Sequence, residues 1–254
     1  MNREAIDFFL ENFEFLIASR YDDYISGCSL RRNIYHDKFG YLSGDNIEDE
    51  WDVFDDKAVH FIIRHKKSQT PIGYFRIVTP VEGKGLPIQH LLENNFDDQR
   101  DPSTFSVDTI CELSRFSLLT STLYQKRGFD FLETTAEREC FRHARDALWI
   151  GMGSVASLLE RYHGFALIEP RFARLIKGSH VRFERVGSFQ DLYGQRAPYY
   201  INYHELITSL PEASLYMMEA IKARIAPKYY QEFLELSSDA TFSWRNAFLS
   251  KALE

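Results

Sequence analysis

Ile6, Phe9, Leu10, Phe13, Leu16 and Ile17 recur at helical intervals near the start of the chain, interrupted by Glu11, Asn12 and Glu14, and predict a first amphipathic helix through residue 17. A second helix is predicted over residues 28–38, with Arg31, Tyr35 and Lys38 on one face. An acidic run follows from Asp45 to Asp56, free of lysine and arginine, and ends at Lys57. Residues 58–65 and 71–79 are rich in Val, Ile, Phe and Tyr, and Lys66-Lys67-Ser68-Gln69 between them supplies the turn of a hairpin. Gly83, Gly85 and Pro87 introduce a short helix through His90, Leu91 and Phe96, and residues 109–118 form the next strand.

From Thr134 to about Tyr162 the pattern is helical, with Gly151 and Gly153 as an expected kink or break. Strands over 165–168 and 181–186 flank a helix over 170–177 that opens on proline, and Gly194 to Tyr200 leads into a last strand. Everything after His204 reads as helix, with Leu215, Met218, Ile221 and Ile225 as its stripe. The order of elements predicts an α/β (α+β) fold, a sheet with helices on both faces, over residues 1–203, with residues 204–254 as a helical extension packed on it.

Composition narrows the class. At 254 residues and 44% apolar content the chain can bury a large core. The opening helix is too interrupted for a signal peptide or a span, and no other apolar run is long enough to cross a bilayer. Three widely spaced cysteines, Cys28, Cys111 and Cys140, fit no zinc or redox motif, so a cytoplasmic location is the expectation. A net charge of -7 argues against general nucleic-acid binding, which needs a basic surface.

Charges on apolar elements are the candidate chemistry. Glu112 and Arg115 lie in a stretch that otherwise reads as a buried strand, and Arg76 lies in the apolar strand Gly73-Tyr74-Phe75-Arg76-Ile77-Val78. Burying such ions is costly unless they are paired, and a structural Glu112–Arg115 pair is the first explanation. Together with Arg31, Glu50, Asp52 and Asp55 they also suit an amine or amino-acid substrate. Carboxylates hold an ammonium, arginines hold a carboxylate, and one carboxylate takes the proton that an amine nucleophile loses. His60 and His65, five apart on one strand, face opposite sides, and His36, His90, His143 and His163 show no ligand spacing, so no metal is expected. Ser114 lacks the Gly-x-Ser-x-Gly elbow of a hydrolase.

Arg31, Tyr35, Glu50-x-Asp52-x-Phe54-Asp55, Gly73-x-x-Arg76 with Thr79-Pro80, Phe96, and Glu112-Leu113-Ser114-Arg115-Phe116 resemble the signature of LuxI-type acyl-homoserine-lactone synthases. Phe165-Ala166-Leu167-Ile168-Glu169-Pro170, Val181-Arg182-Phe183-Glu184-Arg185-Val186-Gly187 and Tyr193-Gly194-Gln195-Arg196-Ala197-Pro198-Tyr199 resemble the N-acyl amino acid synthases and the acyltransferases associated with PEP-CTERM/exosortase systems. The resemblance implies a Gcn5-related N-acetyltransferase (GNAT) fold, a twisted, mostly antiparallel sheet splayed into a central V that admits an acyl-phosphopantetheine arm. It implies an N-acyltransferase moving a fatty acyl group from acyl carrier protein to an amino acid or similar small amine, with no tightly bound cofactor.

The loop Gln125-Lys126-Arg127-Gly128-Phe129-Asp130 matches the coenzyme A pyrophosphate motif only in part, and Asp130 brings a negative charge there, which favours the carrier protein as donor. Lys126 and Arg127, with Arg138, Arg142 and Arg145 on one side of the long helix, are the expected docking surface for that acidic partner, and Arg171, Arg174 and Lys177 repeat the pattern. The roles expected are Glu112 as general base, Arg115 orienting Glu112 or an acceptor carboxylate, and Arg31, Tyr35, Glu50, Asp52, Asp55, Arg76 and Phe96 shaping or bracing the acceptor pocket. Two rivals stand beside this reading: an autoinducer synthase using S-adenosylmethionine, and a non-catalytic module that binds an acyl group or carrier protein. A dimer through the C-terminal helices is compatible with either.

Overall fold

A computed structural model describes residues 2–35, 50–80, 85–92, 95–97, 99–120, 131–176, 181–192 and 194–225. The first helix is α1 (Arg3–Asn12), capped by the Asn2 side chain, which accepts from the Ala5 N–H at 2.9 Å. It stops earlier than the periodicity predicts. Phe13–Ile17 is strand β1, paired antiparallel to β2 (Ala58–His65) from Phe13 opposite His65 to Ile17 opposite Phe61. Phe13, Phe15, Leu16 and Ile17 are apolar enough to serve either geometry, and the edge of the β2 hairpin decides for a strand. Helix α2 (Tyr21–Tyr35) likewise begins before the predicted start, while Lys38 lies outside the described residues.

The hairpin partner of β2 is β3 (Pro71–Val78), and β4 (Ile110–Leu118) pairs antiparallel with β3. Short helix α3 (Pro87–Leu91) sits between β3 and β4 in sequence and ends before Phe96. The predicted long helix is two helices, α4 (Thr135–Phe141) and α5 (Ala144–Leu158), separated at Arg142 and His143 rather than at the glycines. Then come β5 (His163–Ile168), α6 (Pro170–Ile176), β6 (Glu184–Arg185), β7 (Gln190–Asp191), β8 (Gln195–Asn202), α7 (Tyr203–Ser209) and α8 (Glu212–Ile225). Of the strand expected over 181–186, only β6 forms. The segment after Ile225, the rest of the expected helical extension, lies outside the described residues.

One eight-stranded sheet runs in the order β1-β2-β3-β4-β5-β8-β6, with β7 paired to β8. All its pairings are antiparallel except β4 with β5. That parallel ladder is short: Ile110 faces His163, Cys111 faces Gly164, Glu112 faces Phe165, and there it ends. β4 runs on to Leu118 and β5 to Ile168 without pairing to each other, each still held by its outer neighbour, which is the expected central V. Helices cover both faces. α2 packs where Tyr74 and Arg76 point, and α5 packs on the Phe61 and Phe75 side, with α8 against α5, α1 and β1.

Gly151 and Gly153 let α5 approach its neighbours closely instead of breaking it. A Cβ on Gly151 would stand 2.7 Å from Cζ of Phe61, whose ring is stacked on Phe75 with centroids 4.5 Å apart and has nowhere to retreat. Ordinarily Gly→Ala inside a helix stabilises by about 1 kcal/mol. Overpacking costs about 1–3 kcal/mol and wins here, so Gly151→Ala is expected to lower the unfolding free energy in urea titrations. A gain in stability would show that the contact yields.

Candidate active site

The centre of the charged cluster is Asp55, fully buried in the 3-10 turn Asp55–Lys57. Its Oδ1 lies 2.9 Å from Nη1 of Arg31 on α2 and 2.9 Å from Nη1 of Arg76 on β3, and its Oδ2 accepts from the Asp52 N–H at 2.8 Å. Burial opposes its ionisation, but Arg31 and Arg76 outweigh that and hold the carboxyl well below its ordinary range. Arg31 also donates to the backbone carbonyl of Glu50, whose carboxylate lies 3.9 Å from Arg31 Nε.

Asp52 extends the network outward, taking Nη1 of Arg76 at 2.6 Å on Oδ1 and Nη2 of Arg115 at 3.0 Å on Oδ2. Exposure separates the members. The side chains of Arg31, Asp55 and Arg76 are 0%, 0% and 3% exposed, whereas Asp52 and Arg115 are 32% and 25% exposed and form the edge a ligand can reach.

Arg115 gets there through a β-bulge. Arg76 faces Ser114 and Tyr74 faces Ser117, so β4 carries one extra residue there, and Arg115 adopts φ 57°. Strict alternation would put Arg115 on the Leu113 side of the sheet. The bulge turns it to the α2 side instead, where it meets Asp52 and lies 5.8 Å over the ring of Tyr35. Tyr35 donates its hydroxyl hydrogen to the Phe116 carbonyl at 3.2 Å, joining α2 to the bulge.

Glu112 does not pair with Arg115, contrary to the first expectation for those two charges. It sits two residues before Ser114 on the same strand face, about 7 Å along β4 from the Arg76 contact. It is also the last rung of the ladder with β5, at the point where the V opens. Its Oε2 accepts the backbone N–H of Ile88, in the first turn of α3, at 2.6 Å. Burial pushes its pKa from 4.5 up to about 7, with Arg76 and the Ile88 N–H pulling the other way. A buried carboxyl poised there has the proton affinity of a general base at neutral pH.

The fold thus brings together Arg31, Tyr35, Glu50, Asp52, Asp55, Arg76 and Arg115, with Glu112 beside them. Phe96 is not among them: it packs edge-on against Phe165, centroids 6.4 Å apart, in a small core with Leu86, Ile88 and Tyr200. Arg138 and Arg142 are exposed, and Arg145 is half-buried with Nε 3.6 Å from Asp146. They occupy α4, the break and α5, not one continuous helix face. Lys126 and Arg127, the partial pyrophosphate loop at 125–130, and Lys177 lie outside the described residues.

Three participants were not foreseen. Ser114 Oγ accepts from Arg76 Nε at 3.1 Å. His60 is 2.9 Å from the Asp55 carbonyl through Nε2, which must therefore carry the proton, so Nδ1 accepts the Tyr74 hydroxyl at 2.7 Å. Burial lowers the His60 pKa to about 4, against the pull of Asp55, and keeps the ring neutral. A bulge between Ile63 and Arg64 shifts the hairpin register by one residue and so places His60 opposite Arg76 and Ile62 opposite Tyr74; counting back from the turn at 66–69 would set His60 opposite Phe75, so the sequence alone does not give this contact. Among the described residues no cluster of three or more His, Cys, Asp or Glu is arranged for a metal ion.

On the opposite face, between α5 and the sheet, lies an apolar cavity of about 30 Å³ lined in part by Cys111, Leu113, Trp149, Met152, Gly164 and Phe183. Beside it, at the open end of the V, Phe116 stacks on Trp149 at 4.4 Å and Phe172 closes on both rings.

Residues 30–132 match the family model of the acetyltransferase (GNAT) domain. No curated protein matches the sequence. Among solved structures, TofI in a ternary complex with an inhibitor and MTA is similar at TM-score 0.55 and 14% identity, over 84% of this chain and 98% of that one. BjaI, a CoA-dependent acyl-homoserine lactone synthase with SAM and isopentyl-CoA, is similar at TM-score 0.58 and 12% identity, over 82% and 89%. FeeM, an N-acyl amino acid synthase from uncultured soil microbes, is similar at TM-score 0.52 and 13% identity, over 80% and 97%. These likenesses establish the GNAT-like fold. Among the described residues, no helix is long and apolar enough to cross a membrane.

The rise of the Glu112 pKa has a consequence for stability. A carboxyl raised in the folded state favours folding at low pH, and that contribution is lost as pH climbs from about 4.5 through about 7. The difference corresponds to about 3 kcal/mol. Glu112→Gln, which cannot ionise, should therefore lie within about 1 kcal/mol of wild type in urea melts at pH 5 and exceed it by roughly 2–3 kcal/mol at pH 8. An equal difference at both pH values would show that Glu112 is not the titrating group.

Proposed function

We propose that this GNAT-fold acyltransferase moves an acyl group from a phosphopantetheine thioester to the amine of a small amino acid or related acceptor, giving an amide. The observation that carries this reading is Glu112, buried at the opening of the V with a pKa of about 7, next to the reachable Asp52–Arg115 edge. The acceptor binds there as a zwitterion. Its carboxylate meets the Arg115 guanidinium and its ammonium lies toward Asp52 and Glu112.

Glu112, directly or through one water, takes a proton from the ammonium. The freed nitrogen lone pair attacks the thioester carbonyl carbon, and a C–N bond forms. Past Glu112 the edge of β4 that faces β5 carries no ladder, so its backbone N–H groups can receive the developing oxyanion. Collapse breaks the C–S bond, the thiolate leaves with the second amine proton, and Glu112 passes its proton to solvent. Arg31, Asp55 and Arg76 hold Asp52 in place and do not touch substrate.

Acyl carrier protein is the donor we favour, supported by the exposed Arg138 and Arg142, although Asp146 offsets Arg145. Coenzyme A carries the same arm and is the donor named for BjaI. Offering acyl carrier protein and coenzyme A thioesters of one chain length to an amino-acid pool, and weighing the products, separates the donors. The charge order shared with LuxI-type synthases favours a second acceptor, S-adenosylmethionine, which in the same assay yields a lactone of different mass. Failure to release carrier thiol with every amine tried would leave a binding module.

Catalysis by Glu112 requires its ionised form, so kcat/KM should rise with pH and level off above about 7. At saturating substrates Glu112→Gln should lose about 10²–10⁴-fold in kcat with a smaller change in acceptor KM. Unchanged turnover would remove Glu112 from the chemistry.

A further inference from the structure

The cavity under α5 is lined mostly by apolar groups, with the unpartnered Trp149 Nε1–H the polar exception near the V and the Arg161 cation at its far end. The strand register gives its direction. Leu113 lies just past the last β4–β5 rung, Cys111 and Gly164 face each other one rung further back, and Arg161 and Tyr162 immediately precede β5. α5 runs the same way, from Trp149, stacked on Phe116 at the open gap, to Ala156 beside the Arg161 end, where the Arg161 N–H donates to the Ala156 carbonyl at 2.9 Å. A chain entering from the V therefore finds Trp149, Phe183 and Leu113 first and Arg161, Tyr162 and Tyr203 last.

Arg161 is an unusual residue to place at the end of an apolar cavity. Arg161 is half-buried: its Nη1 donates near the surface to the carbonyl of exposed Val107 at 2.8 Å, which anchors the guanidinium, while its Nε is buried and has no hydrogen-bond partner among the described residues. Among the described residues no carboxylate forms an ion pair with it. Its charge reaches the cavity floor: burial raises the Cys111 thiol to about 12, and Arg161 pulls the other way. A buried donor left unmade is costly, more so on a charged group. An alkyl end would leave it so.

We propose that the acyl chain taken by this cavity carries an oxygen function at its far end, a carboxylate by preference or else a hydroxyl, which meets the Arg161 guanidinium. This deepens the proposed acyl transfer and rests on it for the identity of the ligand as an acyl group. The cavity is short, with room for about two water-sized groups as it stands, so the end group of a chain threaded from the V comes within reach of Arg161. Arg161 would act as a specificity residue, away from the reacting atoms, by rejecting a methyl end that leaves its N–H unpaired.

The test uses the full chain and non-hydrolysable acyl-pantetheine analogues, with a methylene in place of the thioester sulfur. These differ only in ending in methyl, hydroxyl or carboxylate, across a series of chain lengths, and binding is read by calorimetry. At the best length wild type should bind the carboxylate-ended chain at least tenfold more tightly than the methyl-ended one, with the hydroxyl between. Arg161→Met should abolish or invert that preference, and Arg161→Lys, which keeps the charge, should retain most of it. Equal or weaker binding of the oxygenated chains by wild type overturns the inference, as does a preference that survives in Arg161→Met. If Arg161→Met does not fold, the wild-type ranking and Arg161→Lys decide. Selective binding without turnover on any amine would leave the end-group inference standing and remove the transferase reading. Turnover with methyl-ended donors alone would do the reverse.

Discussion

Asp55 between Arg31 and Arg76 is the interaction on which the rest of the site depends. Three fully or nearly fully buried charges are expensive to desolvate, and such groups are tolerated only when geometry and hydrogen bonding are nearly complete. Here one carboxylate serves two guanidinium groups from different elements, α2 and β3, while its second oxygen holds the Asp52 N–H. The cluster ties a helix, a strand and a turn together at one atom. Removing one partner from a buried pair costs about 3–5 kcal/mol because it strands the other, which makes this cluster a firm base for a site. His60 and Tyr74 add a neutral second layer, fixing the turn through the Asp55 carbonyl without adding charge.

Two backbone irregularities convert that base into a reachable site. The bulge at Arg115 moves a guanidinium from the α5 side of the sheet to the α2 side, and the early end of the β4–β5 ladder opens the gap beside it. Neither comes from a single residue's preference. A non-glycine residue at positive φ carries a small strain, and it persists here because Asp52 and the Tyr35 ring hold the redirected side chain. Glu112 lies at the junction of the two features. It is buried by the last rung and by α3, yet adjacent to the opening, so it is desolvated enough to have a raised pKa and close enough to accept a proton from a ligand.

Much of this could be read in the chain. Charges on otherwise apolar strands had to be paired, and their order with Arg31 and the acidic turn indicated one network. The hairpin at 58–78 and the helix after Pro170 followed from local chemistry alone. What could not be read depends on tertiary context. Phe13 to Ile17 fits a helix as well as a strand until the free edge of β2 is present. Gly151 looks like a helix breaker until Phe61 is seen beneath it. The partner of Arg115 was missed because alternation put it on the wrong face, and only the bulge corrects that. Phe96 packs on Phe165, the residue opposite Glu112 in the last rung, and stands apart from the charges, a placement that its order along the chain does not show.

On the proposed function, the sheet separates two kinds of recognition. Charges that suit a zwitterion lie on the α2 face, and the apolar cavity lies on the α5 face, with β4 between them. Strands normally isolate their two faces, because paired backbone leaves no passage. Ending the β4–β5 ladder at Glu112 removes that barrier at one place, so an acyl carbonyl in the gap can present its chain to one face and its electrophilic carbon to the other. The position of the last rung then sets both the height at which the carbonyl sits and the residue beside it. A ladder longer by one pair would shift the opening past Glu112 and bury the base without access, and a shorter one would hydrate it and return its pKa toward 4.5.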